Sequence, residues 1–95
     1  MYDLIVQITF FPSKDLANIA KHGVSLAEVK SLDWDTVISV VDDRNDYGEI
    51  REVGLGLIGD RLHCVVFTRR ADALRIIRFR KANRREINDY VQAQS

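Results

Sequence analysis

Four β-prone runs follow one another over residues 36–81, and only turn-forming segments separate them. Residues 36–41 are β-branched and apolar, and residues 49–58, 62–70 and 74–81 continue the pattern. Residues 42–48 are polar and turn-rich, Gly59-Asp60 has the form of a two-residue hairpin turn, and residues 71–73 make a tight connection. Strands joined in this way pair mostly antiparallel. Residues 2–10 alternate loosely and predict one more strand ahead of these. Gly54 and Gly56 weaken the second run, so they predict a bulge or close packing.

Helical signals flank the strands. Ser13 can cap a helix to about Lys21, with Leu16, Ala17, Ile19 and Ala20 inward and Gly23 as a left-handed stop. Ser25 and Glu28 have capping-box spacing for a second short helix ending near Ser31. Asn83 and Glu86 repeat that spacing, and Ile87, Tyr90 and Val91 predict a helix packed on the sheet. The order β-α-α-β-β-β-β-α predicts an α+β fold: a mostly antiparallel sheet of about four to five strands, two N-terminal helices and one C-terminal helix. With 95 residues, 46% hydrophobic and 29% charged, residues 1–95 are expected to form one domain with a modest core.

Other classes are disfavoured. Cys64 is the one cysteine, so an internal disulfide is impossible and a reducing compartment is expected. No apolar run approaches the roughly 18 residues of a membrane span. The opening Met1-Tyr2-Asp3-Leu4 lacks a basic n-region, so a cytoplasmic location is expected. Neither zinc-type His/Cys spacing nor a calcium-loop pattern around residues 42–49 is present, so no metal and no cofactor are expected. Cys64 reads as a small buried hydrophobe and His63 as structural.

The zero net charge hides an asymmetry. Residues 1–60 carry five basic and eleven acidic side chains, and residues 61–95 carry nine and three, so −6 is answered by +6. Over residues 69–85 arginine outnumbers lysine seven to one. Such a block is either a footprint for a polyanion or the complement of the chain's own acidic half. The preference for arginine favours planar, bidentate recognition of phosphate or carboxylate. Arg75, Arg78 and Arg80 lie within a half-apolar strand, where a charge is costly unless paired or bound to an anion. If Arg70 faced Arg75 across the last hairpin, Cys64, Val66 and Thr68 would share a face with Ile77, Phe79 and Lys81; a one-residue slip would change every arginine's partner.

Cleavage of a phosphodiester without metal requires a proton acceptor for the 2′-hydroxyl and cations for the pentacoordinate phosphate. Arginine supplies the charge, while Glu49, His22 and Lys81 are the candidates to move protons. His22, just before Gly23, also suits a purely structural role at a helix C-terminus.

Several stretches together resemble the BrnT family of bacterial type II toxins, small ribonucleases with a RelE-like fold. They are Lys21-His22-Gly23-Val24-Ser25, Asp46-Tyr47-Gly48-Glu49 with Arg51, Val65-Val66-Phe67-Thr68, and Arg80-Lys81-Ala82 with Arg84-Arg85-Glu86. The resemblance covers about residues 10–90 and implies an endoribonuclease that blocks translation. It further implies a BrnA-like antitoxin with a ribbon-helix-helix domain, a heterotetramer built on an antitoxin dimer, and contact with promoter DNA only through that antitoxin. Carried over by position, the functional arginines fall at Arg70 and Arg80, with Arg75 in the same constellation. Chemistry adds His22 and Glu49 as catalytic candidates, and Arg75, Arg78, Lys81 and Arg84 as contacts to RNA phosphates. Three stretches depart from the family pattern: Phe11 replaces an Asp, Arg69 an acid, and Arg78-Phe79 a Ser-Ala pair. The alternative function is a non-catalytic module that docks an antitoxin or nucleic acid through the basic half.

Overall fold

A computed structural model describes residues 7–43 and 48–95 of the chain. Five strands form one sheet: β1 (Gln7–Thr9), β2 (Asp33–Asp42), β3 (Arg51–Ile58), β4 (Arg61–Arg70) and β5 (Ala73–Lys81). Helix α1 spans Pro12–His22, a short 3-10 helix spans Leu26–Ser31, and α2 spans Arg84–Gln94. The strand order is β1-β5-β4-β3-β2. The three hairpin-linked pairs are antiparallel as expected, but β1 runs parallel to β5, so the sheet is mixed. The first part of the strand expected over residues 2–10, and most of the turn over 42–48, lie outside the described residues.

The core lies on one face of the sheet. Val65, Phe67, Ile76 and Phe79 are buried there against Val24, Leu26, Val29 and Leu32 from the segment after α1. Gly54 and Gly56 mark close packing, since a Cβ at Gly56 would lie 2.6 Å from Val37 Cγ2, and the register shift of β2 between Asp33 and Ile38 falls opposite Gly56. Gly59 adopts φ 62° in the hairpin turn that Gly59-Asp60 predicts. His63 stacks on Phe79 with ring centroids 5.0 Å apart, which makes it a core residue.

Helix α1 stops at Gly23, left-handed at φ 73° as expected, but differs from its expected form at its N-terminus and on its inner face. It starts at Pro12, whose fixed φ suits a first helical position, and its N-cap is Phe11, two residues before Ser13. Leu16 and Ile19 are exposed, whereas Asn18 is buried. The reason is what α1 meets. Beyond Arg75 the outer edge of β5 has lost β1, and the Asn18 carboxamide takes its place. Asn18 Nδ2 donates to the Phe79 carbonyl at 2.7 Å, and Asn18 Oδ1 accepts from the Phe79 amide at 3.1 Å. A helix docked on a strand's backbone edge needs a polar inward residue, because the groups it covers are peptide donors and acceptors. The second helix is a 3-10 turn capped by Ser25, whose hydroxyl accepts from Ala27 N and donates to Asp15 in α1.

The capping box of α2 forms as expected, with Glu86 N on Asn83 Oδ1 at 2.8 Å and Asn83 N on Glu86 Oε1 at 2.9 Å. Its predicted packing does not: no residue of α2 is buried, and Val91 is 58% exposed. Polar ties hold it instead, including the Tyr90 hydroxyl, which donates to the Thr36 carbonyl at 2.6 Å.

The last hairpin corrects the register in which Arg70 faces Arg75. Arg70 pairs with Ala73 and Thr68 with Arg75. The turn is tighter than that reading assumes, and Ala71 enters the left-handed region at φ 48°, which no glycine announces. A bulge then shifts the register between Val66 and Phe67, so that Val66 faces Arg78 and Cys64 faces Arg80. Phe79 therefore joins the core face, and Lys81 faces His63 rather than sharing the Cys64 face.

Candidate functional site

The bulge assembles the face opposite the core. Before it, odd-numbered β5 residues share a face with Thr68; after it, even-numbered ones share that face with Val66 and Cys64. Arg75, Arg78 and Arg80, of mixed parity in sequence, thus come to one side. Arg78 and Arg80 each close a row of side chains across the sheet. Val40, Val53 and Val66 lead to Arg78, and Ile38, Leu55 and Cys64 lead to Arg80. Thr68 leads to Arg75, with the Asp42–Arg51 pair at the far side of that row.

At the Arg75 end the sheet carries a cluster around Glu49. Arg70 Nη2 lies 2.8 Å and Arg75 Nη2 2.5 Å from the same oxygen, Glu49 Oε1. Arg51 Nε reaches the other oxygen at 3.2 Å. Glu49 sits in the bend two residues ahead of Arg51, the first residue of β3, and the two side chains meet there. Glu49 is only 15% exposed and Arg75 21%. Burial works against the ionised form of Glu49, but the Arg51 hydrogen bond and the charges of Arg75, Arg51 and Arg70 outweigh it and hold its carboxyl below the usual range. The Arg75 guanidinium also lies over the ring of Phe11, 4.9 Å from its centroid.

At the other end, Arg80 makes a fork-to-fork pair with Glu86 of α2, with both N–O distances 2.8 Å. The pair pushes the Glu86 carboxyl down and the Arg80 guanidinium up. Between the two ends runs a cleft of about 310 Å³. Val53, Cys64 and Val66 line it, with Asp42 and Asp43 on the β2 side and Arg78, Arg80 and Glu86 on the β5 and α2 side. Burial raises the Cys64 thiol, so it stays protonated and unreactive, in keeping with its reading as a small hydrophobe.

His22 ends α1, as expected. Burial first, then the charges of Lys21, Arg80 and Arg78, lower its pKa below 6.5, so its ring is neutral at pH 7. Its Nε2 is buried without a hydrogen-bond partner among the described residues. A neutral imidazole is not the cation that a capping role at the helix C-terminus would use.

Of the sequence-predicted residues, then, the structure unites Glu49, Arg70 and Arg75. It places Arg78, Arg80 and His22 toward the opposite end, and leaves Lys81 and Arg84 exposed where β5 passes into α2. Arg69 is turned away from this face and paired with Glu52. Sequence reasoning missed Arg51 as a site residue, although its spacing from Glu49 is the signal that could have found it. It also treated Glu86 only as a cap, whereas one carboxylate closes the capping box and holds Arg80. Among the described residues, no three His, Cys, Asp or Glu side chains gather as a metal site requires.

The profile of the family described as "Ribonuclease toxin, BrnT, of type II toxin-antitoxin system" matches residues 10–86. The chain is similar to the crystal structure of the Brucella abortus ribonuclease toxin BrnT, with 26% identity and a TM-score of 0.61 over 83% of this chain and 99% of that one. No curated protein matches the sequence.

Proposed function

The chain belongs to the BrnT family of ribonuclease toxins of type II toxin–antitoxin systems, and from that premise we propose that it cleaves RNA endonucleolytically, without a metal, at the Glu49 cluster. The observation that carries this reading is the shared oxygen: Arg70 and Arg75 both donate to Glu49 Oε1. Two guanidinium groups aimed at one anionic oxygen are geometrically prepared for the non-bridging oxygens of a phosphate.

In this mechanism the phosphodiester enters beside Glu49 and takes over donors from Arg70 and Arg75. Glu49, relieved of part of the positive charge that depresses its basicity, accepts the proton of the 2′-hydroxyl. The O2′–P bond forms as the P–O5′ bond breaks, and solvent protonates the leaving 5′-oxygen. The products are a 2′,3′-cyclic phosphate and a 5′-hydroxyl. Arg70 and Arg75 stabilise the charge that develops on the phosphorane, each contributing about 2.7–4 kcal/mol by analogy with a preorganised oxyanion donor. Arg78 and Arg80, closing the next two rows, take phosphates further along the strand. RNA competes with Glu86 for Arg80. His22, neutral and near these two arginines, is the alternative proton acceptor at that end.

Cleavage of this kind blocks translation, and a type II toxin works against an antitoxin. A BrnA-like ribbon-helix-helix protein, assembled with the toxin as a heterotetramer on an antitoxin dimer, fills that role. A second reading, a binding module without catalysis, draws on the same cluster, because a carboxylate held by three arginines is a weak base.

One experiment separates the two. The protein is incubated with a structured RNA in EDTA and the new ends are mapped. Cyclic phosphate ends that Arg75→Ala abolishes support the nuclease. Salt-sensitive RNA binding without new ends replaces it with the binding module.

A further inference from the structure

Phe11 occupies a position that no structural need of the fold explains. It is the N-cap of α1, where Ser, Thr, Asp or Asn would satisfy a free helix amide; Phe11 makes no side-chain cap bond. Nor is it buried, since the residue is 53% exposed. Its backbone is nonetheless firmly held. The Phe11 carbonyl accepts from the amides of Lys14 at 3.0 Å and Asp15 at 3.1 Å, and Pro12 fixes the next residue. A single exposed aromatic is ordinary on a protein surface. This one is distinguished by the Arg75 guanidinium over its ring, on the arginine that also holds Glu49.

We propose that Phe11 is a nucleobase subsite, where an unpaired base of the RNA stacks on the part of the ring that Arg75 leaves open. The inference rests on the RNA-cleaving reading of the Glu49 cluster. The spacing suits it: 4.9 Å separates the Arg75 guanidinium carbon from the ring centroid. A phosphate on Arg75 therefore sets an adjoining base within reach of Phe11. Aromatic rings bind bases through their π-faces with little regard to identity, and single-stranded RNA offers its bases unstacked. The ligand class is thus an unpaired nucleotide within single-stranded RNA. Phe11 here is a positioning residue, ordering the strand so that the neighbouring phosphate meets Arg70 and Arg75. The missing cap bond is the cost to the fold of keeping an aromatic ring at that place.

The test uses two non-cleavable ligands of equal length: an oligodeoxyuridylate and an abasic deoxyribose-phosphate oligomer. Binding is measured by fluorescence anisotropy for the parent protein and for Phe11→Ser, Phe11→Tyr and Arg75→Ala. Phe11→Ser is expected to lose about 5- to 150-fold in affinity for the base-bearing strand and nothing for the abasic one. Phe11→Tyr is expected to retain parent affinity, and Arg75→Ala to weaken both ligands. Because serine restores a cap, Phe11→Ser is also expected to melt no lower than the parent, which separates lost stacking from lost structure. Equal weakening on both ligands, or no weakening on either, overturns the subsite. A Phe11-dependent preference for the base-bearing strand in a protein that cleaves no RNA leaves the subsite standing and removes the nuclease reading. Failure of the parent to bind either strand removes both.

Discussion

The two ends of β5 show opposite ways of using arginine in a sheet. At the Arg75 end, Arg70 and Arg75 share one oxygen of Glu49, and Arg51 takes the other. At the Arg80 end, one guanidinium meets one carboxylate in a matched fork. The first arrangement sets two guanidinium groups on one carboxylate oxygen and so favours a further anion. The second balances itself and acts as a tie: with no buried residue in α2, the Arg80–Glu86 pair and the Tyr90 hydroxyl hold that helix to the sheet. Both ends carry arginines that the basic block announces, yet partner stoichiometry assigns them different work.

The largest expected effect breaks the comparison on activity. Arg75→Ala should lower the RNA cleavage rate about 100- to 1,000-fold, read by end mapping under single-turnover conditions. Arg80→Ala should cost clearly less, because Glu86 already competes for that guanidinium. Equal losses would show that the matched pair opens during turnover and that both ends touch the reacting phosphate.

Next comes the strand that both ends share. Asn18→Ala removes the carboxamide that satisfies the Phe79 amide and carbonyl, and leaves buried peptide groups without partners. The expected cost is about 2–3 kcal/mol, visible as a lowered urea midpoint, with both arginine groups perturbed together. A change under about 0.5 kcal/mol would mean that water replaces the carboxamide at the β5 edge.

A smaller effect follows at the tie alone. Glu86→Ala removes both a cap and the Arg80 partner. It should destabilise the protein by about 1–2 kcal/mol and speed hydrogen exchange in α2, while the exchange rate of β4 stays at the parent's value. Faster exchange throughout the sheet would show that α2 is integral to the core.

The smallest effect is that of acid. Glu49 and Glu86 both have pKa values lowered from 4.5, so their stabilisation is present above that pH and is lost as pH falls through the folded-state values. His22 acts earlier: its pKa is lowered from 6.5, so below that pH the unfolded chain binds the proton first and stability declines. Denaturant titrations across this range should show a gentle loss below pH 6.5 that steepens below 4.5. His22→Gln should remove the first part and Glu86→Gln should soften the second. An unchanged profile in both would place the acid sensitivity elsewhere.

How much of this was legible beforehand follows the range of the forces involved. The strand runs, the Gly59-Asp60 turn and the Asn83–Glu86 capping box rest on contacts within a few residues, and all three appear as read. The inward face of α1 was misread because hydrophobic periodicity presumes an apolar partner, whereas Asn18 meets the backbone edge of β5 from 61 residues away in sequence. The second role of Glu86 was hidden for a different reason: Arg80, six residues earlier, meets it only once the chain has turned from β5 into α2.

Composition and local pattern alone were enough to settle an α+β chain with hairpin-linked strands, a basic C-terminal half rich in arginine, and the motifs shared with the BrnT toxins. These depend on backbone preference, turn chemistry and residue identity, which travel with the sequence. Which arginines act together was a matter for the folded chain. The left-handed Ala71 set the register and the bulge between Val66 and Phe67 reversed the parity of β5, so that Arg75, Arg78 and Arg80 share a face that strict alternation divides. Alternation has a period of exactly two, so one extra residue in a strand exchanges its faces, and only long-range pairing with β4 decides where that residue goes.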